Sequence, residues 1–143
     1  FLNKKTTHQV KVQINLTKQL ENLMSKFSPQ ETFFGYEIHM GQTEYLNGSE
    51  ELFKIIKRSN TKVNLKDGAV NQAGNCFGSY LHGLFDNDNF RSVLLNKLRN
   101  KQSMAIEQIS YNYQKEIENN LDRLADMVEK NIDINKLLKL SRR

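Results

Sequence analysis

Residues 74–99 read GNCFGSYLHGLFDNDNFRSVLLNKLR, and the fold turns on how that stretch is divided. Cys76 to Leu81 is apolar and aromatic with two small residues, the composition of a buried strand. It stops at His82-Gly83. An acidic, asparagine-rich turn of Asp86, Asn87 and Asp88 follows, opening a helical pattern with apolar residues at Phe90, Val93, Leu94 and Leu98. A histidine at the carboxyl end of a strand, just before a loop and a helix, stands where open α/β sheets place ligands and catalysts. His82 is therefore the leading candidate for chemistry.

A second informative stretch precedes it. In Phe33 to Thr43, period-two alternation puts Phe34, Tyr36, Ile38 and Met40 on one face, with Gly35, Glu37, His39 and Gly41 on the other. Glycine is a costly choice inside a strand unless backbone or ligand must come close, so the Glu37-His39 face is a candidate site shell.

Working outward, His8 to Leu16 alternates, with Val10, Val12, Ile14 and Leu16 on one side, and reads as a half-buried strand whose first residue, His8, is exposed. Thr17 to Phe27 carries Leu20, Leu23, Met24 and Phe27 at helical spacing behind a Thr17 N-cap, and Ser28-Pro29 ends it. Leu52, Phe53, Ile55 and Ile56 form a short strand. Asp67-Gly68 reads as a hairpin-like turn, and Asn71 to Asn75 as a turn into the central strand. From Met104 onward Ile106, Ile109, Tyr113, Ile117, Leu121, Leu124 and Val128 recur at steps of three and four. That spacing predicts one long amphipathic helix packed on the domain, followed by a short helix capped by Asp133.

Composition bounds the function. The 143 residues, 38% hydrophobic and 26% charged, are those of an ordinary globular domain with room for one core. No apolar run approaches a membrane span and no signal pattern opens the chain, so a cytoplasmic location without a membrane partner is expected. The single cysteine, Cys76, makes no internal disulfide. A net charge of +5 raises the question of nucleic acid, but the basic residues are dispersed and no binding motif accompanies them; no nucleic-acid partner is expected. Phosphate loop, metal-spaced cysteine pair and serine elbow are all lacking, and no metal is expected. Because the chain opens at Phe1 inside what reads as a structured segment, it is expected to be a piece of something longer.

Three stretches together carry a resemblance: GYEIHMGQT at 35–43, DGAV at 67–70 and FGSYLHGLFDN at 77–87. In that order and at that spacing they resemble the C-terminal glutamine amidotransferase domain of the cobyric acid synthases. The tail from Leu121 to Asp126, with Asp133 to Leu140, is similar to that family's terminal helices. The resemblance implies an α/β, class I glutamine amidotransferase-like (flavodoxin-like) sheet, of which this chain is the C-terminal portion. Residues 1–100 would belong to the glutaminase domain and 101–143 to a helical segment packing on it. It also implies L-glutamine as ammonia source, and a separate N-terminal domain using ATP and Mg²⁺ to amidate carboxylates of a corrin precursor. No cofactor would be bound by the present chain. In the family the histidine of the Tyr-Leu-His-Gly motif partners the nucleophilic cysteine, which carries over to His82.

Two departures limit the carry-over. Cys76 precedes His82 by six residues in the same predicted strand, and six extended residues cover about 20 Å, far beyond proton-transfer reach. Cys76 is accordingly expected in the core, with the nucleophile and its backbone oxyanion donors upstream of Phe1. Many class I glutaminases also place a glutamate two residues after the histidine, where this chain has Leu84. Either the site is a Cys-His dyad, or Glu37 or Asp86 orients His82. Two alternatives stand beside this reading: a non-catalytic α/β binding or regulatory module acting through the long C-terminal helix, and a glutaminase of the cobyrinic acid a,c-diamide synthase type.

Overall fold

Alternation in the first strand decides which side of the sheet becomes the core. In the computed structural model, which describes residues 4–17, 20, 26–46, 48–108 and 111–141, strand β1 (Thr6–Ile14) buries Val10, Val12 and Ile14 on one face. It lies between β2 (Phe33–His39) and β3 (Phe53–Arg58), both antiparallel to it. Outside β3 runs β4 (Thr61–Asp67). Two short pieces, β5 (Ala69–Val70) and β6 (Phe77–Gly78), pair with each other as a separate ribbon. The last strand, β7 (Leu81–His82), joins the far edge beside β2, giving the order β4-β3-β1-β2-β7. Every pairing in this sheet is antiparallel, so the α/β architecture holds without parallel crossovers among the described residues.

A 3₁₀ turn at Leu84–Asp86 leads into helix α1 (Asp88–Lys101), which packs on the inner face of the sheet. Phe90 is its anchor: its ring lies against Phe27, Phe33, Phe53 and Phe85, with centroids 5.4 to 6.2 Å apart across the cluster. Leu20, Leu52, Ile55, Val70 and Leu94 complete the core. Leu98, expected on the same helical face, is exposed.

The stretch that decides the fold divides differently from its reading as one buried strand. Residues 77–82 change sheets at Ser79-Tyr80, so two residues pair in the ribbon and two in the main sheet. Cys76 is exposed, not a core residue. Its backbone is occupied by the preceding turn, where its N–H donates to Asn71 Oδ1 at 3.0 Å and its carbonyl accepts from the Asn71 N–H at 3.0 Å. The Asn71 to Asn75 turn is thus as expected. Asp67-Gly68 is a corner between β4 and β5 and not a hairpin. The hairpin turn is Ser59-Asn60, both at positive φ (42° and 69°), joining β3 to β4; a two-residue polar link between two extended runs is the signal for it. Leu16 is exposed beyond the end of β1. The helix expected over residues 17–27 falls mostly outside the described residues.

The chain divides into two compact units, Phe1–Ile109 and Ser110–Arg143. In the second, α2 (Tyr113–Asn131) begins nine residues later than the sequence spacing predicts. α1 ends at Lys101, Ser103 takes a left-handed φ of 54°, and Met104 to Gln108 is not helical. The cap that starts α2 is Asn112, whose side chain accepts from the Lys115 N–H at 2.9 Å. Asp133 caps α3 (Ile134–Ser141) in the same way, from the Lys136 N–H at 3.0 Å, as the sequence predicts. Neither helix contains a buried residue.

Candidate functional site

Antiparallel register sets the site. Tyr36 lies opposite His82 and Glu37 opposite Leu81. Directly opposed residues share a face, so His82 stands with Tyr36 on the outer, solvent side and Glu37 points inward. His82 is exposed, and among the described residues nothing hydrogen-bonds its ring.

Its backbone is confined from several directions. A Cβ on Gly35 would lie 2.7 Å from the His82 carbonyl oxygen, so the close approach that a glycine in β2 called for is the backbone of β7. Gly83 follows at φ 75°, a left-handed turn that releases the chain from the sheet. Beyond it Asn87 replaces a strand neighbour. Its Oδ1 accepts from the Phe34 N–H at 2.9 Å, and its amide donates to the Phe34 carbonyl at 2.8 Å and to Leu84 at 3.0 Å. On the other side Asp67, only 3% exposed, accepts the Ser79 hydroxyl and the Tyr80 N–H, the latter at 3.3 Å. Burial pushes the Asp67 carboxyl above the ordinary carboxylate value, against the lowering effect of those two hydrogen bonds.

The inner face holds a polar cluster. Glu37, 4% exposed, accepts Arg58 Nε at 2.7 Å and Nη2 at 2.5 Å, a two-pronged grip, and also His39 Nε2 at 2.9 Å. The other ring nitrogen of His39 faces the Gly41 carbonyl at 2.5 Å, and the ring stacks on Tyr80 at 4.5 Å. Glu37, His39, Arg58, Asp67 and Tyr80 line a cavity of about 500 Å³ together with Tyr45. Burial, with the Asp67 and Glu51 carboxylates nearby, pushes the Tyr45 hydroxyl up.

Of the residues named from sequence, the structure brings Glu37 and His39 together and sets His82 on the opposite face of the sheet. Glu37 is committed to Arg58 and His39, so it does not orient His82. Asp86 lies in the 3₁₀ turn behind Gly83, where a Cβ on Gly83 would come 3.1 Å from its Oδ2, and edges a cleft of about 320 Å³ that Leu81 and Ser79 also line. His8 bonds Ser59 Oγ through Nδ1 at 3.0 Å. Arg58, Asp67 and Asn87 were missed as site residues. Arg58 and Asp67 each stand at the end of a strand, and Asn87 lies among polar neighbours, so their partners are visible only once the register is known. Among the described residues no group of three or more His, Cys, Asp or Glu side chains is placed to hold a metal ion. No helix among them is long and apolar enough to cross a membrane.

A mixed α/β domain carrying the three motif stretches falls in one class, the glutamine amidotransferase domains. Residues 1–90 match the family model of the CobB/CobQ-like glutamine amidotransferase domain, and the chain belongs to that family. Its relatives include a cobyric acid synthase of Clostridium tetani, 45% identical over 107 residues, which are 75% of this chain and 22% of that protein. A cobyric acid synthase of Clostridium botulinum (strain Langeland) is 37% identical over 137 residues, 96% of this chain and 26% of that protein. One from Clostridium acetobutylicum is 40% identical over 104 residues, 73% of this chain and 20% of its own length. The chain thus spans about a quarter of the relatives it matches. No solved structure matches it.

Proposed function

We propose that this chain is the histidine-bearing part of the glutaminase of a cobyric acid synthase, with His82 as its general base. The observation that carries the reading is the combination at His82 of a confined backbone and a ring left open to solvent. A base must be held still yet have its nitrogen available to an incoming proton.

The thiol that His82 serves comes from outside these 143 residues. Cys76 is their one cysteine. It is exposed and tied to the Asn71 turn at the start of the separate ribbon, whereas His82 lies in the main sheet. In the proposed reaction His82 takes the thiol proton, and the thiolate adds to the amide carbon of L-glutamine. The imidazolium returns the proton to the nitrogen as the C–N bond breaks and ammonia leaves. The same base then takes a proton from water, which attacks the thioester and releases glutamate and the thiol. ATP, Mg²⁺ and the corrin carboxylates that accept the ammonia belong to the remainder of such an enzyme.

The test is glutamine hydrolysis by the full-length protein carrying this chain. His82→Ala is expected to lower kcat by about 10²–10⁴-fold, with Cys76→Ser near wild type. Residues 1–143 alone are expected to hydrolyse no glutamine. An inactive but folded Cys76→Ser variant, or an unaffected His82→Ala variant, overturns the assignment. The second outcome would favour a non-catalytic binding module, for which the unburied apolar residues of α2 are the supporting observation.

A further inference from the structure

We propose that the buried Asp67 carboxylate is a positioning group for His82, acting through the Ser79 hydroxyl and the Tyr80 backbone N–H. The inference rests on His82 being the glutaminase base.

The need for such a group follows from the topology. Between Gly78 and Leu81 the chain leaves the ribbon and enters the main sheet, and β7 contributes only two residues to its pairing with β2. Two ladder positions on a sheet edge are too few to fix a side chain to the fraction of an ångström that proton transfer needs. At the crossover itself, Ser79-Tyr80, strand pairing adds one long backbone bond, from the Ile38 N–H to the Tyr80 carbonyl at 3.4 Å, and leaves Ser79 unpaired with β2, so the hold there must come mainly from side chains.

Asp67 supplies that hold. One carboxylate oxygen accepts the Ser79 hydroxyl and the other accepts the Tyr80 N–H at 3.3 Å. The Ser79 oxygen accepts in turn from the Leu81 N–H at 2.9 Å. All three residues leading into His82 are thus tied, directly or through one hydroxyl, to a single buried group. The corner that carries Asp67 is pressed onto the same run: a Cβ on Gly68 would lie 2.6 Å from the Gly78 carbonyl oxygen and 3.3 Å from the Ser79 Cβ. Only an ionised carboxylate offers two acceptor oxygens and no donor to leave unpaired. Its burial is unfavourable to that ion, so the residue is poorly explained as a device for stability.

The experiment uses the full-length protein, assayed in parallel for glutamine hydrolysis and for ATP-dependent amidation fed with ammonium chloride. Asp67→Asn and Ser79→Ala are expected to lower the kcat for glutamine on the order of 10- to 100-fold. KM for glutamine and the ammonia-fed rate stay at wild-type values, and Ser79→Thr, which keeps the hydroxyl, restores turnover. Equal loss of the two activities would mark a merely structural residue and overturn the proposal, as would wild-type glutamine turnover in both variants or failure of Ser79→Thr to restore it. A His82→Ala control separates the layers. If His82→Ala still hydrolyses glutamine, the base assignment fails and the proposal goes with it. If it is inactive while Asp67→Asn is normal, only the positioning role fails.

Discussion

Asp67 also makes a prediction about stability. Its carboxyl lies above the ordinary value of 3.8 in the folded protein because burial disfavours the ion. Above that value the folded state binds more protons at this group than the unfolded chain does, so its contribution to stability falls as pH rises through the folded pKa. An asparagine at this position does not titrate. Urea midpoints of Asp67→Asn against wild type, measured at about pH 3.5 and pH 7, should therefore shift toward the variant at the higher pH; an unchanged gap would contradict burial as the dominant cause. Arg58 makes the opposite kind of prediction. Arg58→Met removes two charge-assisted hydrogen bonds to a buried carboxylate and is expected to cost about 2–3 kcal/mol in urea unfolding. At this scale the position of His82 at a strand end was legible in the sequence because it closes an apolar run before a glycine. Arg58 and Asp67 were not, because what distinguishes them is which residues lie across the sheet.

The elements were read to different depths for a physical reason. β1 and β2 repeat their alternation over seven to nine residues, and both the strands and their two faces follow from it. The run ahead of His82 is too short to repeat anything, and tertiary pairing splits it between two sheets. The start of α2 is set by a side-chain cap at Asn112, which a spacing of apolar residues does not reveal. Asn87 illustrates how an element is finished by one side chain, since its amide pairs with Phe34 where β7 no longer does. Asn87→Ala is expected to cost about 1–2 kcal/mol and to speed hydrogen exchange at the Phe34 amide in particular; uniform protection across β2 would contradict this. Phe90 sits where helix and sheet meet. Phe90→Ala should cost about 3–5 kcal/mol, measured as a fall in the urea midpoint.

Across the molecule, charge is segregated by the sheet. The carboxylates of its strands, Glu37 and Asp67, are both buried, while Lys57 lies directly opposite both Lys11 and Lys62, and Lys54 opposite Lys66. The Lys11 ammonium sits 5.3 Å over the Phe34 ring, in the middle of this outer face. Like charges opposed across strands repel. Lys57→Glu is thus expected to raise stability by about 0.5 kcal/mol at low ionic strength, a gain that salt near 0.5 M should erase by screening. Thermal melts at the two salt concentrations decide it. The exposed Cys76 offers something of a different kind. Its thiol belongs to the solvent while its backbone is fastened at both N–H and carbonyl to the Asn71 turn. Within these 143 residues a maleimide dye or nitroxide placed there would occupy one address with a well-ordered root, six residues from the histidine. It would make this turn a ready reporter of movement in the short strand that follows it.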